Sequence, residues 1–190
     1  MYQAFVLLLT AALIVLDQFT KLLALAFLQQ EPFAIIPGVF EFHFTTNPGV
    51  AFGLFPGNRW IFIGLTSMVV LVILAVLLSG RLRVHHKMLT ASGILIVAGG
   101  LGNLIDRIFR GEVVDFLYFK LIDFPIFNLA DCYVVVGAAL LLIFYLFLFK
   151  DEKSPSKAAA PGRAQTGAEG GSPHEGGTPD SSAGQGGGEA

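Results

Sequence analysis

Long apolar runs dominate the first 150 residues of the chain and are interrupted by polar side chains at only a few positions. A helix that crosses a bilayer needs about 20 mostly apolar residues. Four windows meet this requirement, so the pattern predicts four transmembrane helices at about 4–28, 60–78, 88–108 and 129–149. A cleaved signal peptide is the alternative for the first window, but no Lys or Arg precedes it and it is too long.

Two segments between these windows are predicted to be extended. Phe40, Phe42 and Phe44 alternate with polar residues, and a period of two is typical of a strand. Residues 113–119 are β-branched and aromatic, which also favours a strand, whereas residues 47–49 (Asn-Pro-Gly) favour a turn. The expected fold class is therefore an all-α integral membrane protein with four transmembrane helices and a small β element outside the bilayer.

Composition supports a membrane domain followed by a polar tail. The chain is 54% hydrophobic and only 14% charged, and its net charge of −2 gives no indication of nucleic-acid binding. Residues 1–150 form the expected membrane domain. Residues 151–190 are rich in Gly, Ser, Pro and Ala, so we expect a disordered cytoplasmic tail. The single cysteine, Cys132, allows no internal disulfide and is expected to be a packing or lipid-facing residue.

Basic residues predict the orientation. They cluster in the 81–87 turn and again at 150–157, which marks both regions as cytoplasmic. Residues 29–59 contain one basic residue and two glutamates, which suits the outside. The second outer segment is less clear, because Arg107, Arg110 and Lys120 lie there. Four spans with both termini in the cytoplasm fit best.

With this topology, the charged side chains of the spans all fall near the outer face of the membrane, together with Asn103. Ionisable groups inside a spanning helix are costly and are usually functional. The group comprises Asp17 and Lys21 in span one, Asn103, Asp106 and Arg107 in span three, Asp131 in span four and Asp115 in the connection before it.

Structural roles are open for several of these residues. Asp17 and Lys21 are four residues apart and would neutralise each other while locking helix packing. Arg107 would act as a cation that extends to the membrane surface. Asn128 and Asp131 have the spacing of a capping box at the start of span four.

The residue types favour carboxylate chemistry. The four histidines lie in different parts of the chain, at positions 43, 85, 86 and 174, so no zinc site is expected, and a serine triad lacks a suitably placed partner. Asp115 and Asp131 can meet if the short stretch between them folds back. Two adjacent carboxyl groups share one proton, and such a pair can activate a water and protonate a leaving group. The helix N-terminus favours Asp131 as the ionised member.

The chain also resembles the lipoprotein signal peptidases, or signal peptidase II, through five motifs that keep their order and topology. They are residues 17–21 (DQFTK), 47–53 (NPGVAFG), 99–107 (GGLGNLIDR), 114–116 (VDF) and 127–131 (FNLAD). The resemblance covers about residues 10–135. It implies four helices with an extracytoplasmic β-cradle in the bacterial inner membrane, and cleavage of prolipoproteins before a diacylglyceryl-modified cysteine without a metal or other cofactor.

The resemblance also implies roles for particular residues. Asp115 and Asp131 would be the catalytic pair. The residues that would shape the site or contact substrate are Asp17, Lys21, Asn47, Gly49, Asn103, Asp106, Arg107, Asn128 and Ala130. The expected partners are diacylglyceryl prolipoproteins, membrane lipid and inhibitors of the globomycin type, and the protein is expected to act as a monomer.

Two other functions are consistent with a small polytopic protein. A proton-coupled transporter or channel would use the charges of spans one and three as a relay, but span two has no charge and the polar groups do not continue to the inner leaflet. A non-catalytic assembly factor would use the same polar residues for packing alone.

Overall fold

The computed structural model describes residues 1–49, 59–80 and 87–149, with side chains to residue 146. Within these ranges, four helices are long and apolar enough to cross a membrane. They are α1 (Tyr2–Phe27), α2 (Arg59–Leu78), α3 (Lys87–Phe109) and α4 (Leu129–Ile143), and α4 continues as a π-helical turn, Phe144–Phe149. The predicted four-helix architecture is confirmed. The predicted tail 151–190, motif residues 50–53 and most of the basic 81–87 turn lie outside the described residues.

Helix α3 is the central helix. It packs against α1, α2 and α4, and 56% of its most apolar window is buried, against 11–22% for the other three helices. The exposed faces of those three helices carry large apolar side chains, as expected where lipid is the solvent. Close packing requires small residues on α3: a Cβ at Gly99 would collide with the backbone carbonyl oxygen of Ala130 on α4.

Within the described ranges, three antiparallel strands form a small sheet in the order β1-β2-β3. The predicted strands correspond to β2 (Phe40–Asn47) and β3 (Val113–Tyr118), whereas β1 (Phe33–Ile36) was not predicted. All four β1 residues are apolar, so β1 lacks the alternation of apolar and polar residues by which β2 was recognised. Pro37 and Gly38 connect β1 to β2 through a turn closed by a hydrogen bond from Val39 N to Ile36 O, and Gly38 adopts a φ of +74°.

The segment between β3 and α4 folds back on the sheet. Phe127 exchanges two backbone hydrogen bonds with Leu117, at 3.0 Å and 2.8 Å, and this pairing ends the segment directly before α4. The N-terminus of α4 therefore lies beside β3. This is the reversal that the sequence required for Asp115 and Asp131 to approach each other.

Candidate active site

The N-terminus of α4 contains the predicted capping box. Oδ1 of Asn128 accepts a hydrogen bond from the backbone N–H of Asp131 at 3.0 Å, and Oδ2 of Asp131 accepts one from the backbone N–H of Asn128 at 3.2 Å. The first turn of a helix has N–H groups without intrahelical partners, and this box satisfies two such donors near the helix start. The box also fixes the side chain of Asp131.

Asn128 also contacts the second carboxyl group. Its Nδ2 donates a hydrogen bond to Oδ1 of Asp115 at 2.6 Å, while Nδ2 of Asn47, at the end of β2, lies 3.4 Å from Oδ2 of Asp115. Asp115 is 3% exposed and Asn128 is fully buried. One asparagine thus joins the carboxyl groups of Asp115 and Asp131.

A buried ion cluster lies between α1 and α3. Nζ of Lys21 is 3.0 Å from Oδ2 of Asp17 and 2.8 Å from Oδ2 of Asp106, and all three side chains have no exposed surface. Arg110 forms a further ion pair with Asp106. The Asp17–Lys21 pair predicted from their spacing is present, but it belongs to a larger cluster of two carboxylates and two cations that neutralise one another in an apolar environment.

Asn103 connects this cluster to the two carboxyl groups. Its Oδ1 accepts hydrogen bonds from Nζ of Lys21 at 2.9 Å and from Nδ2 of Asn128 at 3.1 Å, and its Nδ2 donates to Oδ1 of Asp131 at 2.8 Å. Lys21 therefore contacts the carboxyl pair through Asn103.

Arg107 lies on the side of α3 that faces the cavity. Its guanidinium donates to the carbonyl oxygen of Gly49 at 3.1 Å and to that of Asn103 at 3.3 Å, and it lies 5.9 Å from the ring centroid of Phe62. This half-buried group makes specific contacts with three parts of the chain, which is more than a cation extending to the membrane surface requires.

A cavity of about 840 Å³ opens beside these residues. Its walls come from α2, α3, α4, β3 and residues 124–127, and most of the lining side chains are apolar. The polar residues gathered at one part of the lining are Asn47, Asn103, Arg107, Asp115 and Asp131. Cys132, which the sequence predicted to be a packing or lipid-facing residue, also lines this cavity.

The environment of Asp115 favours its protonated form. Burial first and the neighbouring charge of Asp131 second raise the pKa of Asp115 to about 7, against the opposing effect of the hydrogen bonds from Asn128 and Asn47. A carboxyl group with this pKa can carry a proton near neutral pH. The arrangement is therefore able to offer one protonated and one ionised carboxyl group to the same cavity.

The other predicted site residues lie behind this surface. Asp17, Lys21, Asp106 and Asn128 are fully buried and do not line the cavity. Ala130 contributes its backbone N–H, which donates to Oδ1 of Asp17 at 2.9 Å. These residues hold the carboxyl pair in place through the contacts described above.

Sequence reasoning missed two members of the cluster. Gln18 donates from Nε2 to Oδ1 of Asp106 and to the carbonyl oxygen of Gly102, both at 3.1 Å, and Arg110 pairs with Asp106. The i, i+4 spacing of Asp106 and Arg110 was a usable signal. For Gln18, the only signal in the sequence was its position next to Asp17.

A second ion pair lies outside the spanning helices, between β2 and the short 3-10 helix Lys120–Ile122. Nζ of Lys120 is 3.0 Å from Oε2 of Glu41, and Nδ1 of His43 is 3.4 Å from Oε1. The hydrogen bond from Lys120 lowers the pKa of Glu41, with a smaller contribution from His43. This pair fixes the start of the segment that leads to cavity residues 124–127.

Comparison with known proteins identifies close relatives. Residues 9–147 match the family model described as signal peptidase (SPase) II. The lipoprotein signal peptidase of Halothermothrix orenii is 45% identical over 141 residues, which is 74% of this chain and 92% of that protein. Those of Chlorobium luteolum and Brevibacillus brevis are 40% and 42% identical, cover 75% and 72% of this chain, and each match spans 91% of the relative.

Two solved structures, both described as bacterial membrane enzymes, share the fold. The first has a TM-score of 0.69 and 27% identity, over 83% of this chain and 95% of the other. The second has a TM-score of 0.68 and 28% identity, over 76% and 94%.

Proposed function

The chain belongs to the signal peptidase II family of membrane proteases, and from this premise we propose that it is an aspartic endopeptidase for diacylglyceryl-modified prolipoproteins. It cleaves the signal peptide N-terminal to the lipidated cysteine. The observation that carries the proposal is that Asp115 and Asp131 both line one polar region of an otherwise apolar cavity.

The two carboxyl groups divide the chemistry of hydrolysis. The ionised member takes a proton from a water molecule while the oxygen of that water bonds to the scissile carbonyl carbon. At the same time, the protonated member donates a hydrogen bond to the carbonyl oxygen. The C–N bond then breaks, and a proton passes from the acid to the leaving amine. The pair again holds one proton at the end of the cycle.

The cavity suits a lipid-bearing substrate. Apolar side chains of α2 and α4, including Leu65, Val69 and Val135, form much of its lining and are available to the acyl chains. The polar region is where the peptide bond would be placed. A substrate anchored in this way presents its scissile bond to Asp115 and Asp131 without moving its lipid into water.

The cluster behind the site does not favour a proton relay. Lys21, Asp17 and Asp106 are fully buried and paired with one another, and none of them lines the cavity. The described ionisable groups that line it are Asp115, Asp131, Arg107 and Cys132. This distribution supports a cleavage site over a transport path.

A cleavage assay with purified protein and a diacylated prolipoprotein tests the proposal. We expect Asp115→Asn and Asp131→Asn each to fold and insert while cleavage falls by about 10²–10⁴-fold. Asp123→Asn, which changes an aspartate that does not line the cavity, serves as the matched control and should cleave at the normal rate. Cleavage that persists in both active-site variants would refute the dyad. Globomycin should inhibit the unaltered protein.

The proposed location is the bacterial inner membrane, with both termini cytoplasmic and the site toward the extracytoplasmic face. Exposed residues Glu31 and Lys87 are suitable for single cysteines in a Cys132→Ala background. A membrane-impermeant thiol reagent added to intact cells should label the cysteine at 31 and not the one at 87. The reverse result contradicts the proposed orientation.

A further inference from the structure

Two asparagine side chains next to the dyad are anchored through their oxygens by groups that can only donate. Nζ of Lys21 has no acceptor, so the Asn103 atom 2.9 Å away must be the amide oxygen. The backbone N–H of Asp131 is likewise only a donor, so the Asn128 atom 3.0 Å away must be Oδ1. These contacts determine both amide orientations independently, and they agree, because Nδ2 of Asn128 then donates to Oδ1 of Asn103 at 3.1 Å.

Asn47 is anchored in the same way. Its Oδ1 accepts a hydrogen bond from the backbone N–H of Gly49 at 3.0 Å, which directs its Nδ2 toward Asp115. All three amides therefore present NH₂ groups, and not oxygens, to the two carboxyl groups.

The resulting hydrogen bonds differ between the two carboxyl groups. Both oxygens of Asp131 accept: Oδ1 from Nδ2 of Asn103 at 2.8 Å, and Oδ2 from the backbone N–H of Asn128 at 3.2 Å. Among the described residues, only Oδ1 of Asp115 has a donor at short range, at 2.6 Å, since Nδ2 of Asn47 lies 3.4 Å from Oδ2, beyond the usual N–H···O range. Donors on both oxygens favour an anion, and a weakly bonded oxygen is free to hold a proton.

We propose that Lys21 and Asn103 are positioning residues that fix the direction of this hydrogen-bond chain, making Asp131 the ionised base and placing the proton of the dyad on Oδ2 of Asp115. This inference rests on the proposed aspartic mechanism. Lys21 acts without touching substrate, because it has no exposed surface and does not line the cavity.

The surrounding charges are compatible with one proton on the pair. Arg107 on α3 interacts electrostatically with both carboxyl groups, so its positive charge offsets the one negative charge that remains when Asp115 is protonated. The charge of Lys21 also acts on Asp115. Behind them, Lys21 and Arg110 offset Asp17 and Asp106. Burial and the charge of Asp131 raise the pKa of Asp115 to about 7, in the direction that this assignment requires.

The location of the proton can be measured without substrate. In protein labelled with ¹³C at the aspartate carboxyl carbons, we expect one buried carboxyl to titrate near neutral pH. That signal should disappear in Asp115→Asn, and in Asp131→Asn it should remain but titrate at lower pH. Its survival in Asp115→Asn, or its loss in Asp131→Asn, would overturn the assignment even if the cleavage assay supports the dyad.

The positioning role is tested by the pH profile of kcat/KM. Asn103→Leu removes the donor to Asp131 while Lys21 keeps its two carboxylate partners, so this variant is expected to fold. The acidic limb of the profile, where activity falls as the base Asp131 becomes protonated, should move upward by about one to two pH units, because the anion loses a hydrogen bond. Lys21→Gln should move it in the same direction.

The matched control is Lys87→Gln, which removes an exposed lysine at the start of α3 that does not line the cavity. Its acidic limb should stay in place. A uniform loss of activity in Asn103→Leu, with no movement of the limb, would show that Asn103 has only a structural role and would refute the inference.

Discussion

Oδ1 of Asp17 accepts a hydrogen bond from the backbone N–H of Ala130 at 2.9 Å, so a side chain of α1 satisfies a donor at the N-terminus of α4. An N–H group without a partner is costly at membrane depth. Together with the Asn128 cap, this contact fixes the helix end that carries Asp131. The buried charge cluster and the proposed dyad are thus mechanically connected.

Gly102→Ala should disturb this connection. A Cβ at Gly102 would lie 2.6 Å from Oδ2 of Asp17, and Asp17 has no free space because it is fully buried. We expect a destabilisation of about 1–3 kcal/mol and a marked loss of cleavage, measured by thermal unfolding in detergent and by the prolipoprotein assay.

Gly64→Ala is the matched control for that prediction. It lies within α2, and apart from its chain neighbours and the backbone of its own helix no atom lies within 4 Å of the added Cβ. Because alanine is the better helix former, stability should be unchanged or rise by up to about 1 kcal/mol. Equal stability of the two variants would contradict the close fit of Asp17 against Gly102.

Asp115→Asn should stabilise the folded protein at alkaline pH. Because the folded-state pKa is about 7, against 3.8 for a free aspartate, the folded chain binds a proton that the unfolded chain has lost between these values. Folding stability from this group therefore falls as pH rises from about 4 to 7 and stays low above 7. The variant avoids this loss, so its unfolding temperature should exceed that of the unaltered protein at pH 8 by more than at pH 5.

Asp123→Asn provides the comparison for the pH series. This residue hydrogen-bonds to the Tyr118 hydroxyl and does not line the cavity. The difference in unfolding temperature between Asp123→Asn and the unaltered protein should be similar at pH 5 and pH 8. If Asp115→Asn instead raised the unfolding temperature more at pH 5 than at pH 8, the Asp115 carboxyl group would be ionised at low pH in the folded protein, which contradicts the prediction.

Lys120→Met should affect substrate binding more than turnover. Lys120 holds the 3-10 helix against Glu41 on β2, and the segment that follows supplies Phe124 and Phe127 to the cavity lining. Loosening this segment should raise KM severalfold with a smaller change in kcat. Glu41→Gln should do the same, and the double variant should add little, since both substitutions break one interaction.

Val135→Trp tests the assignment of the cavity to acyl chains. Val135 lines the cavity on α4 and is 66% exposed, so a larger side chain there can be accommodated but narrows the available space. KM should increase for substrates with long acyl chains and change little for short ones. Leu71→Trp, on an exposed part of α2 that does not line the cavity, should leave KM unchanged for both long-chain and short-chain substrates. Equal increases for both chain lengths would argue against acyl binding in this cavity.

The elements that the sequence predicted are those whose causes are local. A bilayer requires each spanning segment to satisfy its own backbone hydrogen bonds, so about 20 apolar residues suffice to identify a helix. Strand β2 was recognised by its alternation, and the capping box by the three-residue spacing of Asn128 and Asp131. β1 escaped prediction because its four residues are all apolar and do not alternate with polar ones, so that its pairing with β2 is what defines it as a strand.

The sequence by itself determined that the chain has four spans, that its buried charges gather near one face, and which carboxyl groups are candidates for catalysis. Tertiary structure alone decided that Asp17 reaches Ala130, that Arg110 joins Lys21 at Asp106, and that Asn103 joins Lys21 to Asp131. The reason is physical. Each helix carries its own periodicity, whereas hydrogen-bond partners 28 or 113 residues apart meet only after the helices pack.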